Sequence, residues 1–208
     1  MTLELAIGWN PYKENCIIVG SAQQGKTNTA VLIAKLFYPN FNQIIFTPHH
    51  QSKLISLNPT SVIHNPFDVK GSGLEIVVPQ ISTKEFFSQL CERVFELRNV
   101  HFMIDEIHNF VTKYQIPQSL RILVENCNNR NIGYTAIFQR PQRVENSILS
   151  NSDHRFCYLL DLPNDYRYMK EFIGIEIDKF MTGEIPKYYG LYKRKGDREA
   201  HLINFPAA

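Results

Sequence analysis

Eight consecutive residues near the N-terminus have the types and the spacing needed to hold a phosphate group. Gly20-Ser21-Ala22-Gln23-Gln24-Gly25-Lys26-Thr27 fits G-x-x-x-x-G-K-[ST], the pattern of a phosphate-binding loop. The two glycines permit backbone conformations in which successive N–H groups point at one anion. Lys26 can neutralise the β- and γ-phosphates, and the Thr27 hydroxyl can bind Mg²⁺. The pattern therefore predicts a nucleotide site made by Gly20, Ser21, Ala22, Gln23, Gln24, Gly25, Lys26, Thr27 and Asn28.

Two neighbouring carboxylates could complete this site. Asp105 and Glu106 directly follow the apolar residues 100–104. Taken alone, they are most simply a solvated turn after a strand. Beside a phosphate-binding loop, Asp105 is expected to hold Mg²⁺ together with Thr27, and Glu106 to position or deprotonate an attacking water. The second carboxylate also favours hydrolysis over transfer of a phosphoryl group to a small acceptor.

Both motifs lie where strands are predicted to end. Residues 16–19 form a short apolar run that leads into the loop, and an apolar helical stretch at 28–37 leads out of it. Residues 100–104 read as a strand that ends at Asp105. Ligands of open α/β sheets bind at the carboxyl ends of the strands, so the two motifs are expected to meet there.

The rest of the chain alternates strand and helix patterns, which predicts a mostly parallel sheet flanked by helices. Residues 82–85 are interpreted as a capping box that opens a helix whose apolar face contains residues 86, 87, 90, 91, 94 and 95. We expect one domain over 1–208, with a core at about 16–174 and a C-terminal extension at about 175–208 that ends in a hairpin. Further strands are predicted at 43–47, 61–64, 75–78, 133–138 and 155–160, further helices from 117, at 143–149 and at 166–173, and the hairpin at 188–205.

The composition is that of an ordinary globular protein. The 208 residues are 44% hydrophobic and carry a net charge of +2, so any binding of nucleic acid must depend on local patches. No apolar run reaches the length of a membrane span, and residues 1–10 lack the features of a signal peptide. The four cysteines are scattered, which indicates buried free thiols and a reducing compartment such as the cytoplasm.

A longer segment resembles a known family. Residues 130–144, RNIGYTAIFQRPQRV, are similar to a signature of the HerA/FtsK superfamily of DNA-pumping ATPases: an arginine, R-x-x-G entering a strand, then Q-R-P and a valine. The strand after residue 151 and a helix containing Asp165 are also similar to that family. With the phosphate-binding loop and Asp105-Glu106 in the same order, the resemblance covers roughly residues 16–174.

The resemblance implies a RecA-like P-loop NTPase domain of the additional-strand, catalytic-glutamate type. The strand ending at Gln139 would lie between the loop strand and the Asp105 strand, and Gln139 would touch the γ-phosphate or the attacking water. Arg130 matches the position proposed for the arginine finger that reaches a neighbouring subunit, and Arg140 is a second candidate for that finger or a conformational relay. The simpler alternative for each arginine is a solvated surface residue. The catalytic residues implied are Glu106, Lys26, Gln139, Arg130 and Arg140.

A bare core of this size is most similar to the genome-packaging ATPases of membrane-containing icosahedral DNA viruses. That likeness implies an ATP- and Mg²⁺-dependent translocase of double-stranded DNA. It also implies a homo-oligomeric ring of five or six copies, with a capsid vertex or portal protein as a further partner. The expected locations are the host cytoplasm and the packaging vertex.

Other functions remain open at this stage. Residues 105–108 also look like the second motif of two-domain helicases, but this chain has room for one such domain unless copies complete each other. A related ATPase that exports DNA or protein in phage assembly or conjugation is one alternative, and a P-loop kinase or nucleotide switch is another. For DNA contact, the basic residues of the hairpin are candidates, although a charged, solvated turn is the simpler interpretation. Those residues are Lys193, Arg194, Lys195 and Arg198; Lys113, Arg121 and Arg143 are further candidates that no pattern ranks.

Overall fold

The computed structural model describes residues 8–50 and 52–205. Within them, nine strands form one sheet in the order β3-β4-β2-β5-β6-β1-β7-β8-β9. Strands β1 to β7 are mutually parallel, and β8 and β9 are added antiparallel at one side. The strands are β1 (Cys16–Val19), β2 (Gln43–Phe46), β3 (Ser61–Ile63), β4 (Leu74–Val77), β5 (Val100–Ile104), β6 (Ile132–Phe138), β7 (His154–Cys157), β8 (Tyr189–Arg194) and β9 (His201–Asn204).

Helices cover both faces of the sheet because the strands are apolar on both faces, as parallel strands usually are. Along β1, Ile17 and Val19 belong to one buried cluster and Cys16 and Ile18 to the other. The helices are α1 (Lys26–Phe37), α2 (Lys84–Glu96), α3 (Gln118–Asn126), α4 (Asn146–Ser150), α5 (Pro163–Ile173) and α6 (Asp178–Met181). The first cluster includes apolar residues of α2, α3 and α5, whereas the second includes those of α1.

The position of β6 confirms the expected additional-strand arrangement. β6 pairs with β1 on one side and with β5 on the other, and Phe138 lies opposite Val19. Because strands β1 to β7 are parallel, their C-terminal residues all lie at the same end of the sheet, here termed the carboxyl end. The other side, where β6 begins at Ile132, is termed the amino end.

Most predicted elements are present, with shifted boundaries. The 188–205 hairpin is confirmed as β8 and β9, and all four cysteines are free and buried. The helix predicted at 143–149 begins only at Asn146, and the strand predicted at 155–160 already ends at Cys157. None of the helices in the described part of the chain is long and apolar enough to cross a membrane.

The capping box predicted at 82–85 is wrong by one residue. The residue that caps α2 is Thr83, whose side chain accepts a hydrogen bond from the Phe86 backbone N–H. Glu85 therefore lies in the first turn of the helix rather than at the third helical position of a box. The buried face of the helix agrees with the prediction: Phe87, Leu90, Cys91 and Val94 are buried, and Phe86 and Phe95 pack against the same core.

Candidate nucleotide site

The phosphate-binding loop connects β1 to α1, the strand–loop–helix context that the pattern requires. Gly25 precedes the helix with φ at 108°, a conformation that favours glycine. Gly20 is required for space, because a methyl group at this position would lie 2.6 Å from Cβ of Tyr158. The structure thus explains why the pattern requires glycine at both positions.

Tyr158 packs against the phosphate-binding loop. The side chain is buried, packs beneath Gly20 and Gly25, and hydrogen-bonds through its hydroxyl to the Thr29 side chain. On either side of it, the backbone is tied to β1 and to the loop: Tyr158 N–H donates to the Val19 carbonyl and Ser21 N–H to the Leu159 carbonyl, both at 2.8 Å. Sequence reasoning missed this residue, since it belongs to no nucleotide-binding pattern and was simply part of an apolar strand.

Lys26 points back over the loop. Its ammonium donates to the Ser21 carbonyl at 2.7 Å, and only 6% of the residue is exposed. Burial lowers its pKa, while the charges of Glu106, Asp105 and Asp161 oppose that shift. A cation with few solvent contacts, held against the backbone of this loop, is suited to binding an anion such as a phosphate.

Asp105 is held at the end of β5, as predicted. It is 8% exposed, and its Oδ2 accepts a hydrogen bond of 3.1 Å from the Thr47 hydroxyl at the end of β2. Burial raises its pKa to about 6, with a further contribution from the negative charge of Glu106, whereas Thr47, His49 and Lys26 act in the opposite direction. Thr47 was predicted as a strand residue only, so its contact with Asp105 is new.

Glu106 lies beside Asp105 and is oriented by two side chains. Gln139 Nε2 donates to its two carboxylate oxygens at 3.3 and 3.2 Å, and His108 Nε2 is 3.1 Å from Oε2. Burial lowers the pKa of His108, which favours a neutral ring that donates through Nε2. The Glu106 backbone has φ at 52°, a conformation that non-glycine residues seldom adopt outside functional sites and turns.

The residues present fit a magnesium ion. Burial and then the negative charge of the adjacent Glu106 raise the pKa of Asp105, so a cation here would stabilise the ionised carboxylates. Thr27 and Asp105 are the side chains that would hold the ion, since Mg²⁺ at phosphate sites takes few protein ligands and completes its shell with phosphates and waters. Over the described residues, no group of three or more His, Cys, Asp or Glu side chains offers a fuller metal cage.

The two arginines lie in different places. Arg140 directly follows Gln139 at the carboxyl end, where its Nε donates to the buried Asp165 at 2.8 Å. Arg130 precedes β6 and lies at the amino end, with its guanidinium 4.4 Å from the centre of the Phe95 ring. The seven residues of β6 separate it from Gln139 by roughly 20 Å. Arg130 is therefore not brought to the nucleotide site of its own chain.

The basic residues of the hairpin are engaged within the chain. Lys193 Nζ donates to the Arg198 carbonyl and Lys195 Nζ to the Ser150 carbonyl, each at 3.3 Å, and Arg194 pairs with Glu14 at 2.6 Å. The turn itself lies at the amino end, because Arg194 is opposite His154 at the start of β7. This geometry favours the interpretation as a charged turn.

Comparison with solved structures gives the fold independently. The genome packaging NTPase B204 of Sulfolobus turreted icosahedral virus 2, in complex with ATP-γS, superposes with a TM-score of 0.77 at 15% identity, covering 95% of this chain and 100% of that chain. The fold is that of a P-loop ATPase. VirB4 of Thermoanaerobacter pseudethanolicus has a TM-score of 0.68 at 12% identity, over 96% of this chain and 93% of that one. The pCW3 conjugation coupling protein TcpA with ATPγS has a TM-score of 0.59 at 13% identity, over 93% of this chain and 60% of that one.

No protein-family model and no curated protein matches this sequence. The structural neighbours confirm the expected fold class, an α/β domain with a mostly parallel sheet. They include complexes with the nucleotides ATP-γS, AMP and AMPPCP. A nucleotide at the loop of this chain is thus consistent with its fold.

Proposed function

We propose that this protein is an ATP-hydrolysing motor that moves double-stranded DNA, and that it packages a viral genome into a preformed capsid. The observation that carries the proposal is the convergence of Lys26, Asp105, Glu106 and Gln139 at the carboxyl end of the sheet. The likeness in fold to the genome packaging NTPase B204 supports a genome as the cargo. A capsid vertex or portal protein is the further partner expected, and the host cytoplasm and the packaging vertex are the expected locations.

In the proposed mechanism, each residue of the site has a separate task. The loop N–H groups and Lys26 bind the phosphates, and Thr27 and Asp105 would hold Mg²⁺, which when bound neutralises charge on the phosphate oxygens. Glu106 takes the proton of the attacking water. Gln139 directly follows β6, the strand between β1 and β5, so its amide can orient that water or donate to the γ-phosphate. The ion pair with Asp165 joins Arg140, the residue after Gln139, to helix α5. An arginine held in this way is better suited to relaying a conformational change than to reaching the nucleotide of a neighbouring subunit.

The test of this function is steady-state ATP hydrolysis across a protein titration, with no DNA, with single-stranded DNA and with long linear duplex DNA. A translocating ring should be stimulated several-fold by long duplex and should depend cooperatively on protein concentration, since neighbouring copies would complete each other's sites. The Lys26→Ala protein is the control for contaminating ATPase. Slow hydrolysis that is indifferent to DNA at every concentration would count against a DNA motor and in favour of a nucleotide switch.

The similarity in fold to VirB4 and TcpA supports a second candidate, an ATPase that drives DNA export or conjugation. The same titration separates the two. Stimulation by single strands alone would favour the export function, whereas stimulation by duplex alone would favour packaging.

We further propose that Arg130 acts on the nucleotide of a neighbouring copy, because it lies too far from its own site. Arg130→Ala and Glu106→Gln proteins should each be inactive, but mixing them should restore part of the activity. In a mixed ring, some sites pair an intact Glu106 with an intact Arg130 from the neighbour. An arginine finger contributes about 10³- to 10⁵-fold in rate where it has been measured.

The matched control for this experiment is a mixture of Lys26→Ala with Glu106→Gln. Both changes disable the site of the chain that carries them, so no combination of neighbours can repair it. Recovery in the Arg130 mixture but not in this control supports a shared site. The absence of recovery at any ratio would contradict the role of Arg130 in a neighbouring site.

A further inference from the structure

A cleft of about 690 Å³ opens beside the phosphate-binding loop. One wall contains Thr27 and Asn28, from the first turn of α1, and the other contains Tyr188 and Tyr189 at the start of β8 and Asn204 at the end of β9. Its volume is within the usual range for a small-molecule site. The wall opposite the loop is therefore made by the C-terminal extension.

The strand order explains how the extension reaches the loop. β8 is antiparallel to β7, so it begins at the carboxyl end, and β9 returns there with Tyr189 opposite Asn204. The open end of the hairpin thus flanks the loop, while its basic turn lies at the far side of the sheet.

The same order sets the direction of a bound nucleotide. Asp105 directly follows β5, which lies on one side of β1, whereas β7 and β8 lie on the other. A triphosphate whose γ-phosphate faces Asp105 and Glu106 therefore directs its nucleoside toward the cleft.

Three features of Tyr188 bear on a contact with a base. Its side chain lines the cleft and the residue is 52% exposed, so its ring is open to a ligand. Its backbone has φ at 72°, a costly conformation for a residue with a side chain. The Lys187 ammonium lies 4.9 Å from the centre of its ring. An exposed ring beside a cation is a surface on which any base can stack.

Lysine side chains flank the cleft as well. Lys53 lines it and donates to the Asn28 side chain at 3.3 Å, and Lys187 lines it from the side of the extension. Positive charge on both walls complements a ligand that enters with a phosphate tail.

We propose that this cleft binds the base and ribose of ATP, with the base stacked on Tyr188. The inference rests on the proposed function and deepens it, because it makes the C-terminal extension part of the nucleotide site. The loop binds the phosphates, and the C-terminal extension contacts the nucleoside.

The experiment compares binding of ATP with binding of tripolyphosphate, which has the phosphates but no nucleoside. Calorimetric titrations to millimolar ligand, with Mg²⁺, would be made on the wild type and on Tyr188→Ala, Tyr188→Phe and Tyr114→Ala. Stacking on an aromatic ring contributes enough that Tyr188→Ala should raise the Kd for ATP about tenfold. The Kd for tripolyphosphate should stay within twofold, and Tyr188→Phe should bind ATP like the wild type.

Tyr114 is the matched control, since it is 85% exposed and is not among the residues that line the cleft. Its replacement should leave both dissociation constants unchanged. If Tyr188→Ala unfolds, Tyr188→Leu serves in its place, because it keeps apolar bulk and removes the stacking surface. An ATP Kd within twofold of the wild type, or an equal loss for both ligands, would overturn the inference while leaving the proposed function intact. A wild type that does not bind ATP would overturn both.

Discussion

Replacing Lys26 by alanine is expected to abolish ATP hydrolysis and to weaken nucleotide binding. The Lys26 ammonium is the buried cation of the loop, and it offsets the negative charges of Asp105 and Glu106. Hydrogen bonds to charged groups contribute about 1.5–3 kcal/mol, so the Kd for ATP should rise by about 10- to 100-fold. Steady-state hydrolysis and calorimetric titration with ATP measure the two effects.

The matched control is Lys35→Ala on the same helix, where the side chain is exposed in the last turn. It should retain both activity and affinity. Lys26→Ala should also stay folded, because burial already lowers the pKa of this lysine and so disfavours its charge in the nucleotide-free protein. Turnover at the wild-type rate in a folded Lys26→Ala protein would show that this loop is not the site of hydrolysis.

The sequence predicted those parts of the site in which the residue types are dictated locally. The loop glycines, Lys26 and Asp105 follow from chemistry that a short segment must satisfy, and strand patterns place them at strand ends. The insertion of β6 between β1 and β5 came from the resemblance to a family, because periodicity does not give the order of parallel strands. That order is what puts Gln139 next to Glu106.

The contacts that sequence reasoning missed join segments that are distant in the chain. Thr47 touches Asp105 because β2 and β5 are neighbours, and Tyr158 lies under the loop because β7 pairs with β1. A threonine or tyrosine at the end of an apolar strand has no distinctive signal until the pairing is known. The role that we propose for the C-terminal hairpin has no local signal for the same reason, since the antiparallel pairing of β8 with β7 brings Tyr188 to the loop.

The placement of Arg130 was also beyond local reasoning. The sequence pattern places Arg130 just before a strand. Because β6 runs parallel to β5, the start of β6, and with it Arg130, lies at the amino end of the sheet. For a shared site, the amino end of one copy would have to approach the carboxyl end of the next. The fold thus sets a geometric condition on any ring in which Arg130 acts.

Replacing Glu106 by glutamine is expected to stop turnover while leaving ATP binding intact. The two side chains have nearly the same shape, and the glutamine oxygen can still accept a hydrogen bond from Gln139 Nε2, now 3.2–3.3 Å from the carboxylate. The change removes the group that would take a proton from water, and general-base catalysis is worth about 10²- to 10⁴-fold in rate. Single-turnover hydrolysis should fall by that factor, and the Kd for ATP should change by less than about threefold.

Binding should if anything become tighter in Glu106→Gln. One negative charge near the phosphates is lost, and Asp105 then has one fewer neighbour that opposes its ionisation. Glu125→Gln on the exposed side of α3 is the matched control and should behave like the wild type. If Glu106→Gln kept a rate within tenfold of the wild type, Glu106 would not be the base. If it lost binding as well as turnover, its carboxylate would be needed to form the nucleotide site rather than to activate water.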